Sequence, residues 1–381
     1  MHRFFRRNCL GLLFCFFLLA PTQLVAQNTL HEDFKETVPA KVISVEDTRT
    51  RTVPGTDTVV TIQEITVRLE GGTKAGELAT FSNEFAELSP GDDVFINRTE
   101  TIAGDEYFIL MDIDRRLPLL YLAIGFVIFT ILLTGWQGVR AISSLGLSIA
   151  AIIFLLVPAL LAGWNPALAS LLIAGLILGL VIFFTHGFNP RSYIAFSGTW
   201  AAVSVTCLLS YLTVNWLHLS GFSSEGAITL NFATSGSLDL SGLLLGGIII
   251  GLLGVLDDVS ITQASVVQEL KAANAKLAAV ELYRRAIRVG KDHIGSLINT
   301  LALAYVGVSL PLILLFSRAE SDILITLNQE IVATEITRIL LGSIGLVLAV
   351  PVTTAIAAWY FGKQTDIPEG PVHHCGHTHN H

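Results

Sequence analysis

The sequence has little charge for its length. Only 14% of its 381 residues are Asp, Glu, Lys or Arg, whereas 52% are hydrophobic, and the mean hydropathy is +0.64. A soluble protein of this size needs a more polar surface to cover its core. The composition therefore excludes an ordinary soluble fold and indicates that lipid surrounds most of the chain.

Basic residues are scarce, which excludes nucleic acid as a partner. The net charge is −8, and residues 27–116 carry most of the acidic excess, with nine Lys or Arg against eighteen Asp or Glu. Nucleic-acid binding requires a basic surface that neutralises phosphates. The acidic segment instead predicts a solvated surface or a weak attraction for cations.

Cysteines and catalytic motifs are also scarce. Cys9 and Cys15 lie in an apolar leader, Cys207 in an apolar run and Cys375 near the end, so no pair can staple a small domain. The sequence has no His-Glu-x-x-His zinc helix and no Gly-x-Ser-x-Gly elbow. We therefore expect that the protein is not an enzyme.

Residues 1–26 have the pattern of a secretory signal peptide. Arg3, Arg6 and Arg7 precede an apolar run, and a small residue at Ala26 offers a cleavage point. An uncleaved anchor is the alternative. Either version exports the segment that follows.

Residues 27–116 alternate polar and apolar side chains between turn-forming residues, a pattern that predicts short strands. Closure of such strands removes unpaired edges. We therefore expect a small extracytoplasmic β-barrel of OB or SH3 type that acts as an interaction or spacer module. The strand patterns lie at 40–45, 59–69, 77–81, 94–98 and 107–113.

Residues 117–362 predict an α-helical polytopic membrane domain of about seven transmembrane helices. The segment 257–293 is rich in Lys and Arg, whereas 163–166 and 215–240 contain none. The positive-inside rule then places the protein in the bacterial inner membrane with a cytoplasmic C-terminus. The apolar runs are 117–136, 141–162, 167–185, 194–214, 241–256, 294–316 and 336–361.

Polar residues gather around the last three predicted spans. Asp257 and Asp258 end an apolar run, and Ser260 with Gln263 forms a capping box that predicts a new helix from Ile261. This amphipathic helix, near 261–289, would lie on the cytoplasmic leaflet or pack under the bundle. A polar pathway for a cation or proton is one interpretation, and an acidic pair at the membrane boundary is the other. The candidate pathway residues are Asp257, Asp258, Thr262, Asp292, Asn299 and Glu335.

Residues 363–381 form a flexible tail that we expect in the cytoplasm. Its imidazoles and thiol suit weak binding of Zn, Ni or Cu ions, although a non-essential tail is equally consistent with the pattern. The candidate ligands are His373, His374, Cys375, His377, His379 and His381.

Three blocks in order resemble the YibE/F-like family of bacterial multispanning membrane proteins. They are Leu256-Asp257-Asp258-Val259-Ser260, the segment from Val289-Gly290-Lys291-Asp292 to Gly307, and the segment from Glu335 to Pro351-Val352-Thr353. The resemblance extends over 36–362 and implies the membrane architecture. It implies no activity. The acidic position of the family matches Asp258, so Asp257 is a departure from its pattern.

Two functions follow from these features. The first is a permease-like protein, either an ion or small-solute transporter or a subunit of one. The alternative is a non-transporting envelope scaffold whose exported β domain binds a protein partner. The expected partners are the lipid bilayer and either a second copy or an envelope protein.

Overall fold

The computed structural model describes residues 34–52, 54–55, 59–101, 104–318 and 322–364. The chain divides into two compact units at Gly125. The predicted signal peptide and the histidines of the predicted metal-binding tail lie outside the described residues.

The first unit contains a sheet of five antiparallel strands, which confirms the strands predicted from alternation. Their order in the sheet is β3-β2-β1-β4-β5. The strands are β1 (Phe34–Thr52), β2 (Val59–Leu69), β3 (Leu78–Asn83), β4 (Asp93–Glu100) and β5 (Glu106–Ile113).

The sheet curls into a half-barrel. The long central strand β1 carries irregularities between Val42 and Ser44 and between Val45 and Asp47, and such bulges bend a strand. One face buries an apolar core that includes Val38, Ile65 and Ile96. The edge strands β3 and β5 come close to each other but have no ladder between them. Kinship with OB or SH3 domains remains a prediction.

The rest of the described chain is helical, and its apolar helices are compatible with a multi-pass membrane protein. Six helices are long and apolar enough to span a membrane, and a seventh span results if a pair bent by 65° counts as one. The helices are α1 (Arg116–Thr134), α2 (Trp136–Ala151), which continues through a π-helical turn (Ile152–Leu156) into α3 (Val157–Leu161), α4 (Pro166–His186), α5 (Pro190–Trp216), α6 (Glu225–Ala233), α7 (Leu240–Ala273), α8 (Ala279–Val308), α9 (Leu310–Ser317), α10 (Ile323–Leu327) and α11 (Glu330–Gly362).

The bent pair is α8 with α9, which together cover the apolar run predicted at 294–316. The bend follows from Pro311, which has no amide hydrogen to continue the ladder of α8. The predicted seven spans therefore correspond to six candidate spans and, if the bent pair crosses the membrane, a seventh that is broken.

Helices α7 and α11 occupy the centre of the membrane unit. They pack against each other and both contact α5, while α4 packs on α7 and α8 packs on α11. Their apolar side chains interdigitate in one core, to which Ile249 and Leu252 contribute from α7 and Leu346 and Val350 from α11. Residues on these two helices are therefore best placed to form a site inside the bundle.

The expected helix start at Ile261 is wrong. Helix α7 runs unbroken through the predicted capping box to Ala273, because Ser260 and Gln263 are buried and bond to α11 rather than to their own backbone. The expected amphipathic helix over 261–289 is therefore the end of α7, a turn from Asn274 and the start of α8. At 1.5 Å per residue, α7 is about 50 Å long, well beyond a hydrocarbon core of about 30 Å.

Candidate functional site

Asp257 is a partly buried carboxylate on the central helix α7. It accepts a hydrogen bond of 2.8 Å from the backbone amide of Asp258. Among the described residues no Lys, Arg or His lies within ion-pair distance of it. Ionisable groups inside a membrane usually pair with one another, so an unpaired carboxylate on a central helix is a candidate binding group.

Asp258 lies on a different face of α7. It is exposed, and it shares this face with Thr262, Ser265 and Glu269, as the spacing of these residues predicts. The face is exposed at both acidic residues and only partly covered between them. Asp257 and Asp258 are thus neighbours in sequence with unequal surroundings.

Two basic residues from other helices lie along this face of α7, one towards Asp258 and one at Ser265. His186, at the end of α4, is within electrostatic reach of both Arg191 and Asp258. Arg191, in the first turn of α5, has Nη1 3.5 Å from Oγ of Ser265. We call Asp257, Asp258, His186, Arg191 and Ser265 the Asp257 cluster, in which Asp257 lies on a different face of α7 from Asp258 and Ser265. Sequence reasoning missed His186 altogether, although an isolated titratable residue at a helix end was a usable signal.

A surface pocket of about 350 Å³ borders this cluster. It is lined by Asn189, Pro190, Arg191, Gln268, Phe361 and Gln364. The Nε of Arg191 is buried and has no hydrogen-bond partner in the part of the chain that the structure describes. Arg191 is the one member of the Asp257 cluster that lines this pocket.

One turn along α7 from Asp257, two hydrogen bonds join α7 to α11. The Thr353 hydroxyl donates to Oγ of Ser260 at 3.1 Å, and the Thr354 hydroxyl lies 3.0 Å from Oε1 of Gln263. All four side chains are almost completely buried. We call them the hydroxyl layer.

Glycines on the neighbouring helices fit closely around this layer. A side chain at Gly198 of α5 would overlap Thr353, and one at Gly290 of α8 would overlap Gln263 and Val350. Close approach of this kind supports interhelical bonds in membranes. The layer therefore joins four helices, namely α5, α7, α8 and α11.

The model of the YibE/F-like protein family matches residues 122–363, which is more than half of the chain. The chain belongs to the YibE/F-like family. No curated protein and no solved structure gives a significant match. The matched region begins within α1 and ends after α11, so it contains the Asp257 cluster and the hydroxyl layer.

In this YibE/F-like chain the other predicted pathway residues lie apart from Asp257. Asp292 and Asn299 are on the exposed face of α8, whereas Ile294 and Leu297 of the same helix pack on the core. The predicted pathway residues therefore do not all share one site.

Glu335 lies apart from both the Asp257 cluster and the exposed face of α8, near the start of α11. Its carboxylate accepts a hydrogen bond of 2.7 Å from Arg338, whose guanidinium lies 5.9 Å from the ring centre of Tyr305. Its charge is balanced locally.

The predicted metal ligands of the tail are not covered by the structure. Within the ranges that it describes, no group of three or more His, Cys, Asp or Glu residues is placed to hold a metal ion. Metal binding by His373, His374, Cys375, His377, His379 and His381 stays a prediction.

Proposed function

We propose that this YibE/F-like protein is a permease-like protein of the bacterial inner membrane, with the half-barrel outside and the C-terminus in the cytoplasm. One observation carries the proposal, namely the unpaired, partly buried carboxylate of Asp257 on a central helix of the bundle. In a membrane an ionisable group in such a place is costly, and it is usually retained for a pathway or a proton relay. The distribution of Lys and Arg supports the orientation.

A small cation or a proton is the solute that this chemistry favours. Asp257 and Asp258 supply carboxylate oxygens, and neutral oxygens follow one to two turns further along, from Ser260 and Gln263 of α7 and from Thr353 of α11. Hard cations bind such oxygens, and a proton needs only a carboxylate with access to water. His186, which interacts with Asp258, and Arg191, which lies at Ser265, would weaken the attraction of the cluster for a positive charge.

The hydroxyl layer serves as the barrier in this proposal. Its side chains are bonded to one another across α7 and α11, so a solute at Asp257 meets closed packing there. Passage would require α7 and α11 to separate and these bonds to exchange for bonds to the solute or water. Alternating access by movement of helices around a site of this kind is common in transporters.

Uptake by proteoliposomes tests the proposal. Purified protein is screened with protons, Na⁺, K⁺ and Mg²⁺, and the flux of wild type is compared with that of Asp257→Asn. The matched control is Glu269→Gln, which removes an exposed carboxylate from the same helix. We expect at least a tenfold loss of flux in Asp257→Asn and no change in the control. Absence of flux for every ion tested, or equal flux in Asp257→Asn, would contradict the proposal.

A scaffold that binds a protein partner is the second candidate, and the half-barrel favours it. Strand β5 is an edge strand, and Tyr107, Ile109 and Met111 on its outer face are each more than half exposed. Exposed edges with apolar side chains are sites at which another chain can add a strand.

Photo-crosslinking in intact cells tests the scaffold. A photoreactive residue at Ile109 should give one discrete protein adduct, whereas the same residue at Glu70, which is exposed just after β2, should not. No adduct at Ile109 would remove this candidate. Flux that persists after deletion of 36–114 would favour the permease.

The tail carries a separate proposal of weak chelation of Zn, Ni or Cu. Equilibrium dialysis of the full chain against a chain that ends at Pro371 should show the loss of bound metal. Equal uptake by both chains would contradict it.

A further inference from the structure

The exposed face of α8 carries polar side chains at helical spacing. Along it lie a base, an acid, two small residues and an amide, and all of them are exposed. They are Arg288, Asp292, Gly295, Ser296 and Asn299. We call this surface the α8 outward face.

Part of this face lies within the apolar part of the span. Asn299 is seven residues beyond Asp292, which places it about 10 Å further along the helix axis. Its neighbours Leu297, Ile298 and Leu301 are apolar, and α8 with α9 passes as a membrane span. The Asn299 amide therefore projects where hydrocarbon would otherwise surround it.

The Asn299 side chain has no hydrogen-bond partner in the ranges that the structure describes. The nearby Thr300 hydroxyl is satisfied by its own helix, because it donates to the Ser296 carbonyl at 3.0 Å. An unpaired amide in lipid costs free energy, and such groups usually bond to another helix. A polar surface must therefore cover the α8 outward face in the membrane.

Helix α1 is a poor occupant for this face. It has no buried residue, so it is available, but its threonine hydroxyls are already used. Thr130 donates to the Phe126 carbonyl at 2.8 Å, and Thr134 donates to the Thr130 carbonyl at 2.7 Å. The only other side chain of its apolar run that could bond to an amide is Tyr121, which lies in the first two turns of α1, at the end nearest the half-barrel in sequence.

A second copy of the chain fits the face because the face is complementary to itself. An asparagine amide is both donor and acceptor, so two of them can pair across a twofold axis. Arg288 and Asp292 have opposite charges one turn apart and can pair reciprocally between two parallel helices. A side chain at Gly295 would meet no atom within 4 Å in the single chain, which leaves room for a close helix approach.

We propose that two copies of the protein pack through their α8 outward faces, with Asn299 bonded to the partner's Asn299. This interface does not involve Asp257, so the test of dimerisation is independent of the test of the proposed transport. It also gives Asp292 and Asn299 a role outside the Asp257 cluster.

Cysteine crosslinking in native membranes tests the interface. In a chain whose own cysteines are replaced by serine, Asn299→Cys and Gly295→Cys should form disulfide dimers under mild oxidation. The control, Val205→Cys, lies on an exposed position of α5 and should not. An oxidised pair requires Cβ atoms about 4 Å apart. The proposal would be overturned if neither Asn299→Cys nor Gly295→Cys formed a disulfide dimer, or if Val205→Cys formed as much dimer as they do. It would also be overturned if the test cysteines crosslinked to a different protein.

A second measurement separates association from folding. Single-molecule photobleaching in vesicles should show dimers about 3- to 30-fold weaker for Asn299→Leu, which corresponds to one interhelical polar contact in a membrane. Asn299→Gln should retain dimers better than Asn299→Leu, because it keeps the amide. At a dilution at which both proteins are monomeric, the thermal midpoint of Asn299→Leu should equal that of wild type, since Asn299 is exposed in the single chain. Unchanged dimerisation in Asn299→Leu would overturn the proposal.

Discussion

Gly198 shows how a single atom sets the packing of the bundle. It faces Thr353, and an added Cβ would overlap both the side chain and the Cα of that residue. The backbone of α11 cannot move away without disturbing the bond between Thr353 and Ser260. The absence of a side chain at Gly198 is therefore required by the hydroxyl layer.

We expect Gly198→Ala to destabilise the protein by about 1–3 kcal/mol, as overpacking typically does. The thermal midpoint of purified protein in detergent measures this. Gly247→Ala is the matched control, because an added Cβ there meets no atom within 4 Å. If the midpoint fell equally in both variants, the destabilisation would come from replacing a glycine and not from overlap with Thr353.

Glu106 has a comparable role in the half-barrel. Lys74 Nζ lies 2.6 Å from its Oε1, and Nη2 of the buried Arg98 lies 2.7 Å from the same oxygen. These hydrogen bonds hold the pKa of the Glu106 carboxyl below its usual value of 4.5. Stabilisation from this carboxylate is therefore complete above the usual value and is lost as the pH falls through the lowered pKa.

Glu106→Gln should accordingly weaken the half-barrel more at pH 7 than at pH 4. Protection factors from hydrogen exchange over residues 93–113 of the full chain measure the difference. Glu70→Gln, which removes an exposed carboxylate, should have no effect at either pH. A difference between wild type and Glu106→Gln that grows in acid would contradict the assignment.

At the scale of elements, α7 and α11 depend on each other. Each is longer than a membrane span needs, and both carry buried polar groups that bond to the other helix. The Thr354 hydroxyl also lies 2.6 Å from the Val350 carbonyl of its own helix. Such a pair of helices stays in register because a shift would leave these polar groups unpaired in the core.

Thr354→Val should cost about 1–2 kcal/mol, because it leaves the Gln263 amide without its partner. Thr354→Ser keeps the hydroxyl and should lose less. Thermal unfolding in detergent measures both variants, and Thr300→Val, whose hydroxyl contacts only its own helix, is the control. Equal midpoints for Thr354→Val and wild type would show that the Gln263 bond contributes nothing.

At the scale of the whole molecule, the bent pair α8 and α9 decides the topology. If the pair crosses the membrane, the segment before α11 is on the same side as the half-barrel. If it re-enters, that segment lies on the opposite side. The Lys and Arg distribution favours a crossing.

Labelling with an impermeant maleimide on intact cells measures the topology. In a cysteine-free chain, single cysteines at the exposed positions Ser82 and Asn328 should react, and one at Ala272 should not. Reaction at Ser82 without reaction at Asn328 would indicate six spans and a re-entrant pair. Reaction at Ala272 would contradict the proposed orientation.

Much of the fold was predictable because it depends on local patterns. The strands followed from alternation, and the helices followed from apolar runs long enough for lipid. The α8–α9 bend was harder to predict, since Pro311 alone does not give its 65° angle. Ser260 and Gln263 led to the wrong prediction of a helix start at Ile261. The spacing of a capping box is also the spacing of two buried residues on one face of a continuous helix.

The sequence by itself determined the class of protein, because hydrophobicity and length decide whether a segment enters lipid. It also determined the alternation that builds the half-barrel. Only the tertiary structure decided which polar residues meet. It separated Asp257 from Asp292 and Asn299, paired Ser260 and Gln263 with Thr353 and Thr354, and brought His186 towards Asp258 and Arg191 to Ser265. The reason is that helix periodicity fixes which residues share a face, whereas packing of distant helices fixes what that face contacts.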